Sequence, residues 1–540
     1  MDRRHAPLAL AVIIALLVWA TWPSSGAHTS PTQRTKSVPS TSPSRPPVAD
    51  AVLASSTAPV APWIVDENRK SGTGDWALAK TGKPRDIEGY ADHVSAQRGD
   101  SVQLMVSTTA PSFRVEAYRM GFYAGLGGRL VWRSADVPGT RQPDPVIVPV
   151  VNMVDARWSP SLRVTLDASW PPGAYLLKLV ASTGPQRYVP LTVRDDSSHA
   201  AYVVQSSVAT WQAYNQWGWY SLYLGGGPAH PSLAKRARIV SFDRPYDNEG
   251  AADFIGNELP LVSFVESKGL DVSYWTDVDL HRSPALLLNH RALLTLGHDE
   301  YWSTAMRAGA ETARDRGVNL AFLGANAVFR HIRFDASPLG PDRHVVDYKS
   351  ATEDPTPDKN EKTVDWRGPP LDRPESALIG QQYECNPVSA DMVVFDGSSW
   401  LLSGTGLRTG SRLPRLVGTE YDRYVPSTAS PPNVAVIAHS PVQCRGKPSY
   451  ADMTYYSAPS GAGVFATGTG WWVNSLTGPC PQGGCRHSDA VVAITWNLLE
   501  AFGQGPAGPT HPSTTNRDRL PNGGRPMPGE VSFTSGAGRD

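Results

Sequence analysis

Cysteine is scarce in this sequence: four residues among 540, Cys385, Cys444, Cys480 and Cys485, all in the last third. Their spacing lacks the two close pairs of a zinc module, which leaves zinc as the alternative to disulfides. An excess of either charge is also missing, with 50 Lys and Arg against 50 Asp and Glu. That balance excludes the basic footprint of a nucleic-acid-binding protein. No G-x-S-x-G elbow and no H-E-x-x-H occur, so the serine-hydrolase and zincin readings fall away. Gly404-Thr405-Gly406 with Gly410 is spaced one residue too widely for a dinucleotide fingerprint, and no helix signal follows it. No internal repeat is present.

What is there points to an exported chain of more than one folded unit. The length exceeds what a single core holds, and 17 Trp, 48 Pro and 48 Gly indicate a turn-rich, β-containing protein. Residues 1–27 read as a signal peptide or anchor: Arg3 and Arg4, then apolar Leu8 to Ala20, then Ser25-Gly26-Ala27. The apolar run is shorter than the about 20 residues of a membrane span, although Trp22 can extend it into an uncleaved anchor. The expected location is secreted or cell-surface, with membrane contact only if this segment stays on. Residues 28–62 are Ser/Thr/Pro-rich and residues 506–540 are similar, so both are expected to be disordered, a linker and a tail. Export permits disulfides. Cys480 and Cys485 flank the turn-forming Pro481-Gln482-Gly483-Gly484, which favours that local pair together with Cys385–Cys444.

Between residues 63 and 195 the apolar residues alternate, as in Val102, Leu104 and Val106, or Val164 and Leu166, with turn clusters such as Pro171-Pro172-Gly173 between runs. This pattern predicts an antiparallel β-sandwich. From 196 to 505 the period changes. Strands are expected at Ala201–Gln205, Ala237–Phe242, Leu270–Tyr274, Ala292–Leu296 and Val318–Leu323, and helices at Leu259–Ser267, Ser303–Arg316 and Ala490–Phe502. Alternating strands and helices predict an α/β unit with a parallel sheet, reminiscent of class I glutamine amidotransferases. Where those enzymes carry a Cys nucleophile, this strand-to-helix turn holds His298-Asp299-Glu300 with no cysteine near in sequence.

Chemistry concentrates at the expected strand ends: Thr210 to Asn215 (TWQAYN), Asp243 to Tyr246 (DRPY), Gly297 to Trp302 (GHDEYW), and Gly324-Ala325-Asn326. Ionisable groups there are costly to bury without partners, and the carboxyl edge of an open sheet is where ligands sit. Asp299 is expected to face the other side of its turn, capping the following helix or pairing with an Arg.

Taken in order, these motifs resemble the N,N-dimethylformamidase large-subunit family over roughly Trp63 to Phe502. Further elements are Ile87-Glu88-Gly89-Tyr90, Tyr118 to Tyr123 (YRMGFY), Tyr348-Lys349, Asp354-Pro355 and Gly418 to Asp422 (GTEYD). The resemblance implies a mononuclear ferric ion held by two tyrosinates and a glutamate. It puts the glutamate on Glu300, with His298 two residues before it and Asn326 closing the next strand. Tyr214 and Tyr246 are the tyrosines it favours, with Tyr220 and Tyr223 in reserve, and Glu420 is a further pocket acid. The family's enzyme works in the cytoplasm with a small partner subunit, whereas this chain carries an export segment.

Phenolate and carboxylate oxygens are hard donors suited to iron(III), and amide hydrolysis needs both an activated water and a stabilised oxyanion. His298 would orient water or protonate the leaving amine, and Asn326 would donate to the oxyanion. The expected activity is therefore metal-dependent cleavage of a carbon–nitrogen amide bond in a small or cell-wall substrate. Two rivals stand beside it. One is a non-catalytic module binding cell-wall glycan through Trp211, Trp217 and Trp219; the other is a metal-free hydrolase using Glu300 and Glu420.

Overall fold

Alternation puts Val102, Leu104 and Val106 on the buried face of the strand Ser101–Thr108. That strand lies between Ile87–Ala91 and Leu162–Thr165, both antiparallel to it. A second sheet runs in the order Ser95–Gln97, Gln186–Arg194, Gly173–Ala181, Ser112–Met120 and Gly128–Arg133. Its residues Val115, Ala117, Leu177, Leu179, Val189 and Leu191 share one core with the first sheet. The predicted antiparallel sandwich is matched in part: two sheets share a core here, but Ser95–Gln97 runs parallel to Gln186–Arg194. The structure is a computed structural model that describes residues 57–476, 488–527 and 530. The export segment, most of the linker, and Cys480 and Cys485 lie outside the described residues.

The other face of the second sheet is apolar as well. Tyr118, Met120, Leu176 and Tyr188 join a core that also holds Leu261, Val265 and Val272. Two-sided burial explains why Gly173–Ala181 is apolar almost throughout, with every residue buried. The described residues form one compact unit, in which the sandwich packs directly on the C-terminal sheets and helices.

The expected glutamine amidotransferase-like α/β fold does not form. Five neighbouring strands, Val272–Thr276, Tyr202–Ser206, Ala292–His298, Asn319–Ala325 and Gly463–Ala466, do run parallel. The sheet then continues antiparallel through Lys447–Ser457 and Ala435–Cys444. Ile239–Ser241, expected among the parallel strands, instead pairs antiparallel with Gly340–Val346 in a separate four-stranded sheet. Gln382–Val393 and Arg412–Arg423 form a further antiparallel pair. The whole is β-rich, with mixed and antiparallel sheets. Apolar periodicity reports burial and not strand direction, which is why the two arrangements read alike in sequence.

Local signals fared better. The helix Leu259–Ser267 starts with Pro260 in its first turn and buries Leu261, Val262, Phe264 and Val265. Thr304–Asp315 is capped by Ser303, whose Oγ accepts the Met306 N–H, and Asp489–Gly503 is capped by Ser488. The disulfide Cys385–Cys444 is formed as expected, tying the antiparallel pair to the edge of the main sheet. Composition starts the tail at Pro506, yet the chain from there packs back: Ala507 and Leu520 are buried, and Tyr455 Oη donates to His511 O at 2.8 Å.

Candidate functional site

The parallel strands Ala292–His298 and Asn319–Ala325 meet at their carboxyl ends through Gly297 and Gly324. A Cβ on Gly324 would stand 2.0 Å from Gly297 O, so only glycine permits this approach. His298 and Asn326 thereby come side by side, Asn326 Nδ2 lying 3.4 Å from His298 Nε2. Asn326 has φ +55°, and its N–H donates to Asp422 Oδ1 at 2.7 Å. Burial pushes Asp422 up to about 8.

Glu300 is fixed by its own backbone. Its N–H donates to Thr210 Oγ1 at 3.1 Å, and its carbonyl accepts from Phe329 and Arg330 N–H. The buried carboxylate then receives two phenols. Tyr214 Oη donates to Oε2 at 2.7 Å, and Tyr223 Oη stands 3.0 and 3.3 Å from the two oxygens. The two rings stack at 4.5 Å between centroids. Tyr301 Oη donates to Tyr223 Oη at 2.7 Å, and Lys349 Nζ lies 3.3 Å above the Tyr223 ring.

His298 Nε2 sits between two carboxylates, 3.4 Å from Glu300 Oε2 and 3.3 Å from Glu420 Oε2. Asn386 Nδ2 donates to the other Glu420 oxygen at 2.8 Å. Burial alone would lower His298, but the charges of Glu420 and Glu300 outweigh it and hold the imidazole well above its usual range. Burial would raise Glu420, and the His298 charge with the Asn386 bond overcomes this and holds it low. Burial, then the Glu300 charge, raises the hydroxyls of Tyr214, Tyr223 and Tyr301 well above the ordinary phenol. The phenols are thus neutral, Tyr214 and Tyr223 donating to the Glu300 carboxylate and Tyr301 to Tyr223. Among the described residues no three His, Cys, Asp or Glu side chains are grouped to hold a metal.

Of the residues expected from sequence, the structure brings together Tyr214, Glu300, His298, Asn326 and Glu420. Tyr246 is not among them. It packs against Trp211, with ring centroids 6.2 Å apart, in a pocket lined by the sandwich and the main sheet. Its strand Ile239–Ser241 belongs to the antiparallel sheet, so DRPY does not end on the rim that carries Glu300. The reserve Tyr223 reaches Glu300 instead, and Tyr220 gives its carbonyl to Arg244 while its ring packs on the core.

The DRPY motif acts through a residue that sequence reasoning passed over. Buried Arg244 donates to Gln212 Oε1 at 3.0 Å, Asn215 O at 2.9 Å, Trp217 O at 3.1 Å and Tyr220 O at 2.7 Å. It gathers the turn between Tyr214 and Tyr223. An arginine beside a proline at the end of an apolar run was the available signal.

Asp299 does face the other side, but Ser303 caps the helix and Asp299 Oδ2 accepts from Gln205 Nε2 at 3.0 Å. Burial pushes Asp299 up to about 7. The tryptophan platform expected of a glycan binder is not continuous: Trp211 is buried and donates to Glu258, Trp217 donates to Glu88, and Trp219 is exposed.

Comparison with known proteins gives a family match. A family described as "N,N-dimethylformamidase beta subunit-like, C-terminal" matches residues 114–486, which carry every site residue above. No curated protein sequence matches the chain. Among solved structures, murine CEACAM1b is 9% identical, covering 20% of this chain and 52% of its own, with a TM-score of 0.11. A Paenibacillus sp. cycloisomaltooligosaccharide glucanotransferase is 8% identical, covering 49% of this chain and 34% of its own, with a TM-score of 0.14. This chain thus spans about half the length of the first and a third of the second. Neither likeness reaches a level that bears on fold or function.

Proposed function

The chain belongs to the N,N-dimethylformamidase beta subunit-like family, and from that membership and the site geometry we propose a metal-dependent hydrolase that cleaves a carbon–nitrogen amide bond. The observation that carries the reading is the convergence of Tyr214 Oη and Tyr223 Oη on the Glu300 carboxylate within 2.7–3.3 Å. Three hard oxygen donors fit a hard ion such as iron(III). Buried Asn326 Oδ1, without a hydrogen-bond partner, leaves polar capacity beside them. Tyr214, Tyr223 and Glu300 would hold the ion, with Tyr223 replacing the Tyr246 favoured from sequence. When bound, such an ion supplies Lewis acidity, activating water at neutral pH and polarising an amide carbonyl.

The chain's own groups do the rest. Glu420, held by Asn386, accepts a proton from the attacking water. His298, held protonated between Glu300 and Glu420, gives its own proton to the leaving amine and takes the water's proton back from Glu420. The Asn326 amide donates to the oxygen on which charge develops. The substrate class is a small or cell-wall amide, met outside the cytoplasm. Among the described residues no helix is long and apolar enough to cross a membrane, and the Cys385–Cys444 disulfide suits an oxidising compartment.

The test is spectroscopic and then enzymatic. Protein reconstituted with ferric iron is expected to show a tyrosinate-to-iron band in the visible and to release amine from formamide, N,N-dimethylformamide or acetamide. No bound metal by elemental analysis and no band after reconstitution would overturn the reading.

A further inference from the structure

The proposed ion site leaves one phenol without a role. Tyr301 is fully buried on the strand Tyr301–Ser303, which pairs in parallel register with Arg330–Ile332. That pairing and the edge-on contact with Tyr214, 6.3 Å between centroids at 83°, fix the ring. Its hydroxyl donates to Tyr223 Oη at 2.7 Å, whereas Tyr214 and Tyr223 both reach Glu300. Three phenols thus stand in a row, and the outermost touches one of the two that contact the carboxylate.

We propose that Tyr301 is a positioning residue whose hydroxyl donates a hydrogen bond to the Tyr223 oxygen and makes the two phenol donors unequal, Tyr223 giving less electron density to a bound ion than Tyr214. The inference rests on the reading of Tyr214, Tyr223 and Glu300 as the ion's holders. Without an ion, Tyr214 Oη is also 3.0 Å from Tyr223 Oη, so Tyr223 has two hydroxyl neighbours. Once an ion takes the place of the Tyr214 and Tyr223 protons, the Tyr301 hydroxyl is the one of the three that still donates. A phenolic hydroxyl can donate one bond, and this one is aimed at Tyr223 alone. Partners one step removed from a metal set ligand orientation and basicity in this way. The neighbouring Lys349 above the Tyr223 ring acts in the same direction on the same phenol.

The experiment compares the visible band and iron content of ferric wild type, Tyr301→Phe, Tyr223→Phe and the double variant. Tyr301→Phe is expected to keep its iron and to move the band to longer wavelength, because an oxygen that loses a donor transfers charge more easily. In the Tyr223→Phe background the same change is expected to leave the band still. A Tyr301→Phe band at the wild-type wavelength, or an equal shift in both backgrounds, overturns the proposal. Should Tyr301→Phe fail to fold, 3-fluorotyrosine at position 301 keeps the shape with a stronger donor and is expected to move the band to shorter wavelength; an unmoved band overturns the proposal. A wild type without iron and without a band overturns the ion-site reading itself, and the role of Tyr301 with it; a wild-type band that Tyr301→Phe does not move overturns only the latter.

Discussion

Glu266 offers the sharpest test of how the sandwich is joined to the rest of the unit. Arg119, in the sandwich, and Glu266, on the helix Leu259–Ser267, have side chains fully removed from solvent. They pair in both prongs, Nη2 to Oε1 at 2.5 Å and Nη1 to Oε2 at 2.9 Å. Tyr274 Oη at 2.6 Å and Asn68 Nδ2 at 2.9 Å complete the carboxylate. Pro172 O and Tyr123 Oη, each 3.0 Å away, complete the guanidinium. Gly121 is glycine because a Cβ there would lie 2.3 Å from Glu266 Oε2, which accounts for much of the YRMGFY run. Glu266→Gln leaves a buried, unpaired guanidinium. Breaking a buried pair from one side costs about 3–5 kcal/mol. Arg119→Met with Glu266→Gln removes the orphaned charge, so the double variant is expected to lose less than the sum of the singles. Guanidinium denaturation followed by tryptophan fluorescence and by circular dichroism measures all four proteins. A Glu266→Gln protein within about 1 kcal/mol of wild type would contradict this picture, since that is the scale of an exposed pair. Strict additivity in the cycle would count against it equally.

Other sites in the structure give further expected outcomes. The Cys385–Cys444 bridge spans 59 residues of sequence, and Cys385→Ala with Cys444→Ala is expected to lower stability by about 4 kcal/mol through the unfolded chain; an unchanged thermal midpoint would contradict this. Burial would raise the Asp354 carboxyl, but the two-pronged Arg333 bond and the Thr363 bonds hold it at about 2 against an ordinary 3.8. A depressed carboxyl stabilises the fold above its unfolded pKa, so about 2 kcal/mol is lost as pH falls from roughly 5 towards 2. Asp354→Asn should be less stable at neutral pH and flatter across that acid window; parallel pH–stability curves would count against the assignment. Gly324→Ala drives a Cβ onto the Gly297 carbonyl and is expected to lower the thermal midpoint by the equivalent of about 1–3 kcal/mol and to weaken iron binding; a midpoint and iron content equal to wild type would show that the strand ends can part freely.

The site was more legible than the fold that holds it. GHDEYW announced itself because ionisable residues follow an apolar run, and Glu300, His298 and Asn326 converge as that pattern suggested. Tyr214 was reachable for the same reason, one helix after the strand Tyr202–Ser206. Tyr223 was reached only as a reserve, because the turn that folds it back depends on Arg244, more than 20 residues further on. The long strands Gln382–Val393 and Arg412–Arg423 were invisible since bulges break their alternation at Tyr383/Cys385, Cys385/Val388 and Ala390/Met392.

Local sequence sets what local chemistry can: helix starts at Ser303 and Ser488, the strand that ends at His298, and the apolar faces of the sandwich. Strand direction, and which tyrosine faces Glu300, came from long-range packing alone. Alternation encodes which side of a strand is buried, whereas direction depends on partners distant in the chain. Ile239–Ser241 found an antiparallel partner in Gly340–Val346, which took Tyr246 to another pocket and left the place beside Tyr214 to Tyr223.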